Sequence, residues 1–171
     1  VQDAIEKGLV LAGHDISAGG MITALLEMCF ANVEGGLEVN LDKLSEQDIV
    51  KILFAENPGI LVQVKDKKAF EKLMEDAGVG FAIIAKPTSE RHILVSKEGI
   101  QYHFGIDYMR DVWYESSYKL DIKQSGNVCA GNRFENYKMQ PLEFKYPKNF
   151  TGKLSSYGLT ADRKGKSGIR A

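Results

Sequence analysis

Gly13-His14-Asp15-Ile16-Ser17-Ala18-Gly19-Gly20 runs without a break into Met21-Ile22-Thr23-Ala24-Leu25-Leu26-Glu27-Met28-Cys29-Phe30, and this stretch decides the fold. Met21, Ile22, Leu25, Leu26 and Cys29 recur with the spacing of one helix face, and Met28 and Phe30 widen it, so the helix is expected to be largely buried. The segment before it, polar and glycine-rich, reads as a turn. Gly35 and Gly36 punctuate the far side. Leu37, Val39 and Leu41 then alternate with Glu38, Asn40 and Asp42, as a half-buried strand does. The apolar period thus changes from about 3.6 residues to about 2 across two glycines, a helix-to-strand junction.

Further along, Ser45 followed by Asp48 resembles a capping box that opens a short helix through Ile49, Ile52 and Leu53. Ile60 to Val64 reads as a strand broken only by Gln63. Ala69, Phe70, Leu73, Met74 and Ala77 have helical spacing, with Asp66 as the cap and Gly78 as the C-terminal glycine. Phe81 to Ala85 reads as another buried strand. Arg91–Val95 and Ile100–Phe104 form a hairpin across Ser96-Lys97-Glu98-Gly99. A last helix starts at Asp107 and carries Met109, Trp113 and Leu120 towards Ser125. Alternating helices and strands followed by a hairpin favour an α/β (α+β) fold, a mixed β-sheet covered by helices.

Residues 1–125 carry 13 Lys/Arg against 20 Asp/Glu, whereas residues 126–171 carry 9 against 3. The sign changes at Ser125-Gly126, where glycine and proline also become denser, which marks a candidate boundary between a domain, 1–125, and a basic connector, 126–171. Nucleic acid is not the expected partner of that connector. Its charges are spread among Gly, Asn and Tyr instead of forming a compact basic run, and they suit acidic surface of its own or a neighbouring domain.

A 44% share of hydrophobic residues and 26% of charged ones suits a globular protein with a core. No apolar run approaches the roughly 20 residues of a membrane span, and Val1 to Gly8 does not build a signal peptide. Cys29 and Cys129 form neither a disulfide framework nor a CxxC pair. A cytoplasmic compartment with reduced thiols is expected. The chain begins at Val1 without an initiator methionine and stops at Ala171, so we expect an excised piece of something longer.

The turn before the first buried helix is where chemistry is most plausible on physical grounds. A helix N-terminus offers unpaired N–H groups and a favourable dipole to anions, and Ser17 adds a hydroxyl. Asp15 would repel a phosphate unless a divalent cation bridged them, and hard carboxylate oxygens are what Mg²⁺ prefers. The combination points to Mg²⁺-nucleotide and not to bare phosphate. The alternative is that Asp15 or Ser17 merely caps the helix. His14 reads as a partly buried histidine hydrogen-bonded to backbone, and His92 and His103 as surface or cross-strand residues. Glu56 is either a turn residue or a carboxylate facing a cleft. No Walker-type GxxxxGK[ST], GxSxG or HExxH occurs, and no self-sufficient catalytic set is present.

Three stretches together carry a resemblance. Gly13–Gly20 with Leu25-Leu26-Glu27-Met28 and Phe30-Ala31 resembles the HDxSDGG…LLEMAFA signature of phosphoribosylformylglycinamidine (FGAM) synthases of the large, fused type. Phe54-Ala55-Glu56-Asn57-Pro58-Gly59 is similar to their F-x-E-x-x-G element. Arg110-Asp111-Val112-Trp113 with Ser116-Ser117-Tyr118-Lys119-Leu120-Asp121 looks like their RDxW…TSYxLD helix.

That family makes FGAM from formylglycinamide ribonucleotide, glutamine and ATP. The amide oxygen is phosphorylated, and ammonia released in a glutaminase domain displaces the phosphate. The resemblance implies that residues 1 to about 125 are the last domain similar to the C-terminal domain of aminoimidazole ribonucleotide synthetase. Preceding synthetase-like domains and a downstream glutaminase domain would be its partners in the same polypeptide, with Asn136-Tyr137-Lys138 to Lys153 in the connector and the glutaminase's first strand near Ile169. It further implies that Asp15 is a Mg²⁺ ligand and Ser17 a nucleotide contact in a structural site, that no catalytic residue lies here, and that the isolated piece is inactive. Position 18, usually Asp in the motif, is Ala18. Another reading is a non-catalytic scaffold that positions the glutaminase domain through its basic tail.

Overall fold

The computed structural model describes residues 1–136 and 145–158. They fall into two compact units, the first taking in everything through the helix that ends at Asn136. In chain order the first unit runs α1 (Gln2–Glu6), β1 (Val10–Ile16), α2 (Gly20–Phe30), β2 (Gly36–Asn40), α3 (Ile49–Phe54) and β3 (Gly59–Val64). It continues with α4 (Lys67–Asp76), β4 (Ala85–Thr88), β5 (His92–Lys97), β6 (Ile100–Gly105), α5 (Ile106–Ser125) and α6 (Asn127–Asn136).

The strands form a four-stranded sheet in the order β4-β2-β5-β6 and a separate two-stranded ladder, β1-β3. β2 runs parallel to β5, whereas β2–β4 and β5–β6 are antiparallel, so the larger sheet is mixed. The architecture is therefore the α/β arrangement expected from the sequence. Glu98 and Gly99 both have positive φ, 50° and 80°, as the two-residue turn of a right-twisted hairpin requires.

α2 packs its apolar face on the larger sheet. Met21, Ile22, Leu25, Leu26 and Cys29 meet Val39, Ile93 and Val95, with Leu41, Leu53 and Ile106 completing the main core. Ile93, Val95 and Val39 are fully buried, and each such side chain contributes about 2 kcal/mol by leaving water. Burial raises the Cys29 thiol pKa, against a smaller lowering by the nearby Arg91 charge. A smaller cluster of Ala4, Phe70 and Met74 packs α1 and α4 against Val10, Val62 and Val64 of the two-stranded ladder.

Several expectations need correction. His14, Asp15 and Ile16 are not in a loop: they end β1, paired with Leu61, Ile60 and Gly59. The expected strand at Phe81–Ala85 begins only at Ala85 and extends to Thr88, an edge strand whose Pro87 needs no ladder donor on its solvent side. α3 is capped by Asp48 itself, whose side chain accepts from Val50 N and Lys51 N, and Ser45 is not the cap. Asp66 does cap α4, accepting from Ala69 N at 3.1 Å, and Gly78 follows that helix at φ 64°. On α5 it is Ile106 and Arg110 that are buried, while Trp113 and Leu120 are more than half exposed.

Past Gly126, where the sequence reads as a basic connector, α6 forms. Its anchors are long-range: Arg133 donates to both Asp121 carboxylate oxygens at 2.6 and 2.7 Å, and Arg110 donates to the Phe134 carbonyl at 3.0 Å. Arg110 also lies over the Tyr114 and Phe134 rings, 4.7 and 5.0 Å from their centroids. Among the described residues of the second unit, Leu154–Tyr157 forms a 3-10 turn and the Tyr146 and Phe150 rings stack at 4.4 Å. Ile169, where a following strand was expected, lies outside the described residues.

Candidate functional site

Because β1 pairs with β3 as an antiparallel ladder, its side chains alternate in direction. Ile16 packs against the main core, and Asp15 points the other way with its side chain 75% exposed. Ser17, also exposed, opens the turn into α2, and its carbonyl accepts from Gly20 N at 3.0 Å. Gly19 and Gly20 take φ of 83° and 74°. At Gly20 a Cβ would stand 2.6 Å from the Leu53 carbonyl oxygen, so the start of α2 abuts the end of α3 and admits no side chain.

Neither Asp15 nor Ser17 caps α2: the N-cap is Gly19, with no side-chain cap hydrogen bond. The simple capping role for these two residues is thereby set aside. The carboxylate that does reach this end is Glu56, whose Oε1 accepts from Gly19 N at 2.8 Å. From the sequence, Glu56 reads as either a turn residue or a cleft carboxylate. The structure makes it a tie between the α3–β3 loop and the turn, and it commits one amide that an incoming anion would otherwise use.

His14 is hydrogen-bonded to backbone as expected, its Nδ1 lying 2.7 Å from the Asp15 carbonyl oxygen. Its Nε2 also lies 3.0 Å from Glu27 Oε2, and Glu27 Oε1 accepts from Trp113 Nε1 at 2.8 Å. Sequence reasoning missed this function of Glu27. The available signal was a carboxylate inside an otherwise apolar helical run, Leu25 to Phe30. An open hollow of about 520 Å³ lies beside it, walled by His14, Glu27, Phe30, Arg110, Trp113 and Tyr114. A second, of about 430 Å³, reaches Ile16, Met21, Ser45, Glu46, Lys51 and Asn57. Neither is lined by Asp15 or Ser17, which sit on open surface.

Among the described residues no group of three or more His, Cys, Asp or Glu is placed to hold a metal ion. Asp15 nevertheless fits Mg²⁺ as a single hard donor: its carboxylate is exposed, with Oδ1 3.8 Å from His14 Nδ1. His92 and His103 are cross-strand neighbours on the hairpin, ring centroids 4.3 Å apart, and do not join Asp15. Cys29 and Cys129 are both free thiols. None of the described helices is long and apolar enough to cross a membrane.

Comparison with known proteins agrees with this architecture. The chain is 31% identical over 136 residues to a human phosphoribosylformylglycinamidine synthase, covering 75% of this chain and 10% of that protein. It is 32% identical over 145 residues to a probable chloroplastic/mitochondrial phosphoribosylformylglycinamidine synthase of Arabidopsis thaliana, again covering 10% of the relative. The chain thus spans about a tenth of the length of these curated relatives. A Thermotoga maritima PurL structure complexed with FGAR superposes with a TM-score of 0.54 at 22% identity, covering 63% of this chain and 19% of that one, a likeness of fold. The ATP complex of the same protein gives 0.53 at 20% identity, covering 61% and 19%. Residues 1–97 match the family described as AIR synthase related protein, C-terminal domain, and the chain belongs to that family.

Proposed function

We propose that this chain is the last synthetase-like domain, with its connector, of a large FGAM synthase, the ligase that makes FGAM from formylglycinamide ribonucleotide, glutamine and ATP in de novo purine biosynthesis. The named relatives support this reading, and so does an order of motifs that spans α2, the α3–β3 loop and α5. Residues 1–125 form the synthetase-like part in this reading and 126–171 lead to a glutaminase domain, with the whole polypeptide in the cytosol.

Within that assembly Asp15 holds Mg²⁺ and Ser17 contacts a bound ATP or ADP, in a site that is structural and not catalytic. The observation that carries this is the exposed Asp15 carboxylate, which has no hydrogen bond among the described residues, two residues from the exposed Ser17. When bound, Mg²⁺ supplies positive charge that reconciles a carboxylate with a polyphosphate. Octahedral Mg²⁺ needs about six oxygens, so nucleotide phosphates, water and a preceding domain supply the others. This chain's share is to hold Asp15 outward at the end of a paired strand and to present Ser17 on a turn closed by Gly20 N. Titrating Mg²⁺-ADP into the intact protein and its Asp15→Ala variant tests the reading. A weaker site in the variant is the outcome it requires, and unchanged binding refutes it.

One observation favours a second reading, a scaffold with no nucleotide. Glu56 already occupies the Gly19 amide, which places a negative charge where a phosphate would approach. In that case the exposed Lys145, Lys148 and Lys153 hold the glutaminase domain, and reversing their charge should loosen the coupling of glutamine hydrolysis to FGAM formation. Intact coupling in that variant would count against the scaffold.

A further inference from the structure

Asp15 projects from the last turn of a ladder whose outer side is open: its ladder partner Ile60 is itself 56% exposed. Among the described residues, no hydrogen bond steadies the carboxylate on that side. What orders the strand end lies behind it. Trp113 Nε1 on α5 donates to Glu27 Oε1 at 2.8 Å, across 86 residues of sequence. Glu27 Oε2 stands 3.0 Å from His14 Nε2, and His14 Nδ1 stands 2.7 Å from the carbonyl oxygen of Asp15. The Trp113–Glu27 and His14–Asp15 links are hydrogen bonds of ordinary length, and the Glu27–His14 link is a 3.0 Å N···O approach.

Glu27 therefore commits its two oxygens to two different elements, and its side chain is only 25% exposed, with His14 at 30%. Partial shielding of this kind strengthens the polar links. The Trp113 ring is held in turn by Phe30 of α2, ring centroids 5.4 Å apart. The carboxylate thus joins the middle of α2, the first half of α5 and the end of β1 at one point.

We propose that Glu27 is a positioning residue for the metal ligand Asp15, acting through His14 and braced by Trp113. This rests on the reading that Asp15 holds Mg²⁺. A carboxylate behind an imidazole fixes the ring, and the ring's other nitrogen fixes the peptide that carries the ligand. Partners one shell out from a metal characteristically change affinity when removed, even though they never touch the ion. Mg²⁺ is demanding in this respect because it tolerates little departure from octahedral geometry.

The test replaces Mg²⁺ by Mn²⁺ in the intact protein with ADP present and follows binding by electron paramagnetic resonance. The Asp15-dependent share is counted as the difference between the wild type and Asp15→Asn. Glu27→Gln should weaken that share about ten-fold with the thermal midpoint unchanged. Trp113→Phe keeps the ring packed on Phe30 but loses the indole N–H, and should shift affinity the same way by a smaller factor. If Asp15→Asn abolishes this binding while both other variants leave it at the wild-type value, the positioning role is overturned and the Mg²⁺ reading stands. Should Glu27→Gln fail to fold, Trp113→Phe decides alone, and wild-type affinity there overturns the proposal. If Asp15→Asn removes no Mn²⁺, the Mg²⁺ reading has failed and the inference falls with it.

Discussion

Glu56 Oε1 accepts the backbone N–H of Gly19 at 2.8 Å, and this bond ties the loop after α3 to the residue that starts α2. The contact joins residues 37 apart in sequence, and it is exposed. Glu56→Ala should cost about 1 kcal/mol in urea unfolding, less than the roughly 1.5 to 3 kcal/mol of a hydrogen bond to a charged group, because water can replace it here. Glu56→Gln, which keeps an acceptor oxygen, should cost less. Hydrogen exchange at the Gly19 amide provides the direct check: it should speed up in the alanine variant.

Gly20 should tolerate no side chain. Its φ of 74° and the 2.6 Å approach of a Cβ to the Leu53 carbonyl act together. Backbone strain and overpacking each cost up to about 3 kcal/mol, so Gly20→Ala should lose roughly that much stability or more by chemical denaturation. A loss below about 1 kcal/mol would show that α2 and α3 separate freely.

At α3 the contrast between two neighbouring residues is the test. Asp48→Ala removes the acceptor of Val50 N and Lys51 N and should cost about 1 kcal/mol. Ser45→Ala should cost clearly less, because Ser45 does not cap the helix. Paired denaturation curves decide between them.

The α5–α6 joint should weaken in acid. Hydrogen bonds from Arg133, then from Ser125, hold the Asp121 carboxyl pKa below its ordinary 3.8. A lowered carboxylate pKa means the folded state binds the proton less readily than the unfolded one. The stabilisation is therefore full above the ordinary value and is lost as pH falls through the depressed one. Protection of α6 amides against exchange should fall over that window, and Asp121→Asn should make that protection insensitive to pH there.

What the sequence disclosed follows from how far each signal reaches along the chain. α2, the β5–β6 hairpin, the Asp66 cap and Gly78 rest on residues a few positions apart, and all were legible. His14-Asp15-Ile16 looked like a loop because polar residues and Gly13 hide an antiparallel strand whose backbone pairs with Ile60 and its neighbours. The edge strand β4 was displaced by Pro87, which argues against a strand locally although an outer position accepts it. α6 has a weak apolar pattern and is held by Arg133–Asp121 and Arg110–Phe134, links no local period reveals. For the site, the sequence nominates Asp15 and Ser17, and both are exposed. Glu27 and Glu56 were quoted within motifs, but their partners lie far along the chain.

The central claim is that the Asp15 carboxylate ligates a divalent cation. Crystals of the intact protein grown with Mn²⁺ and ADP, measured at the manganese absorption edge, test it most directly. An anomalous peak is expected close to the roughly 2.0 to 2.1 Å that Mg²⁺ keeps from its oxygens, next to an Asp15 carboxylate oxygen and shared with nucleotide phosphate. A bound nucleotide whose metal peak lies out of reach of Asp15 would contradict it.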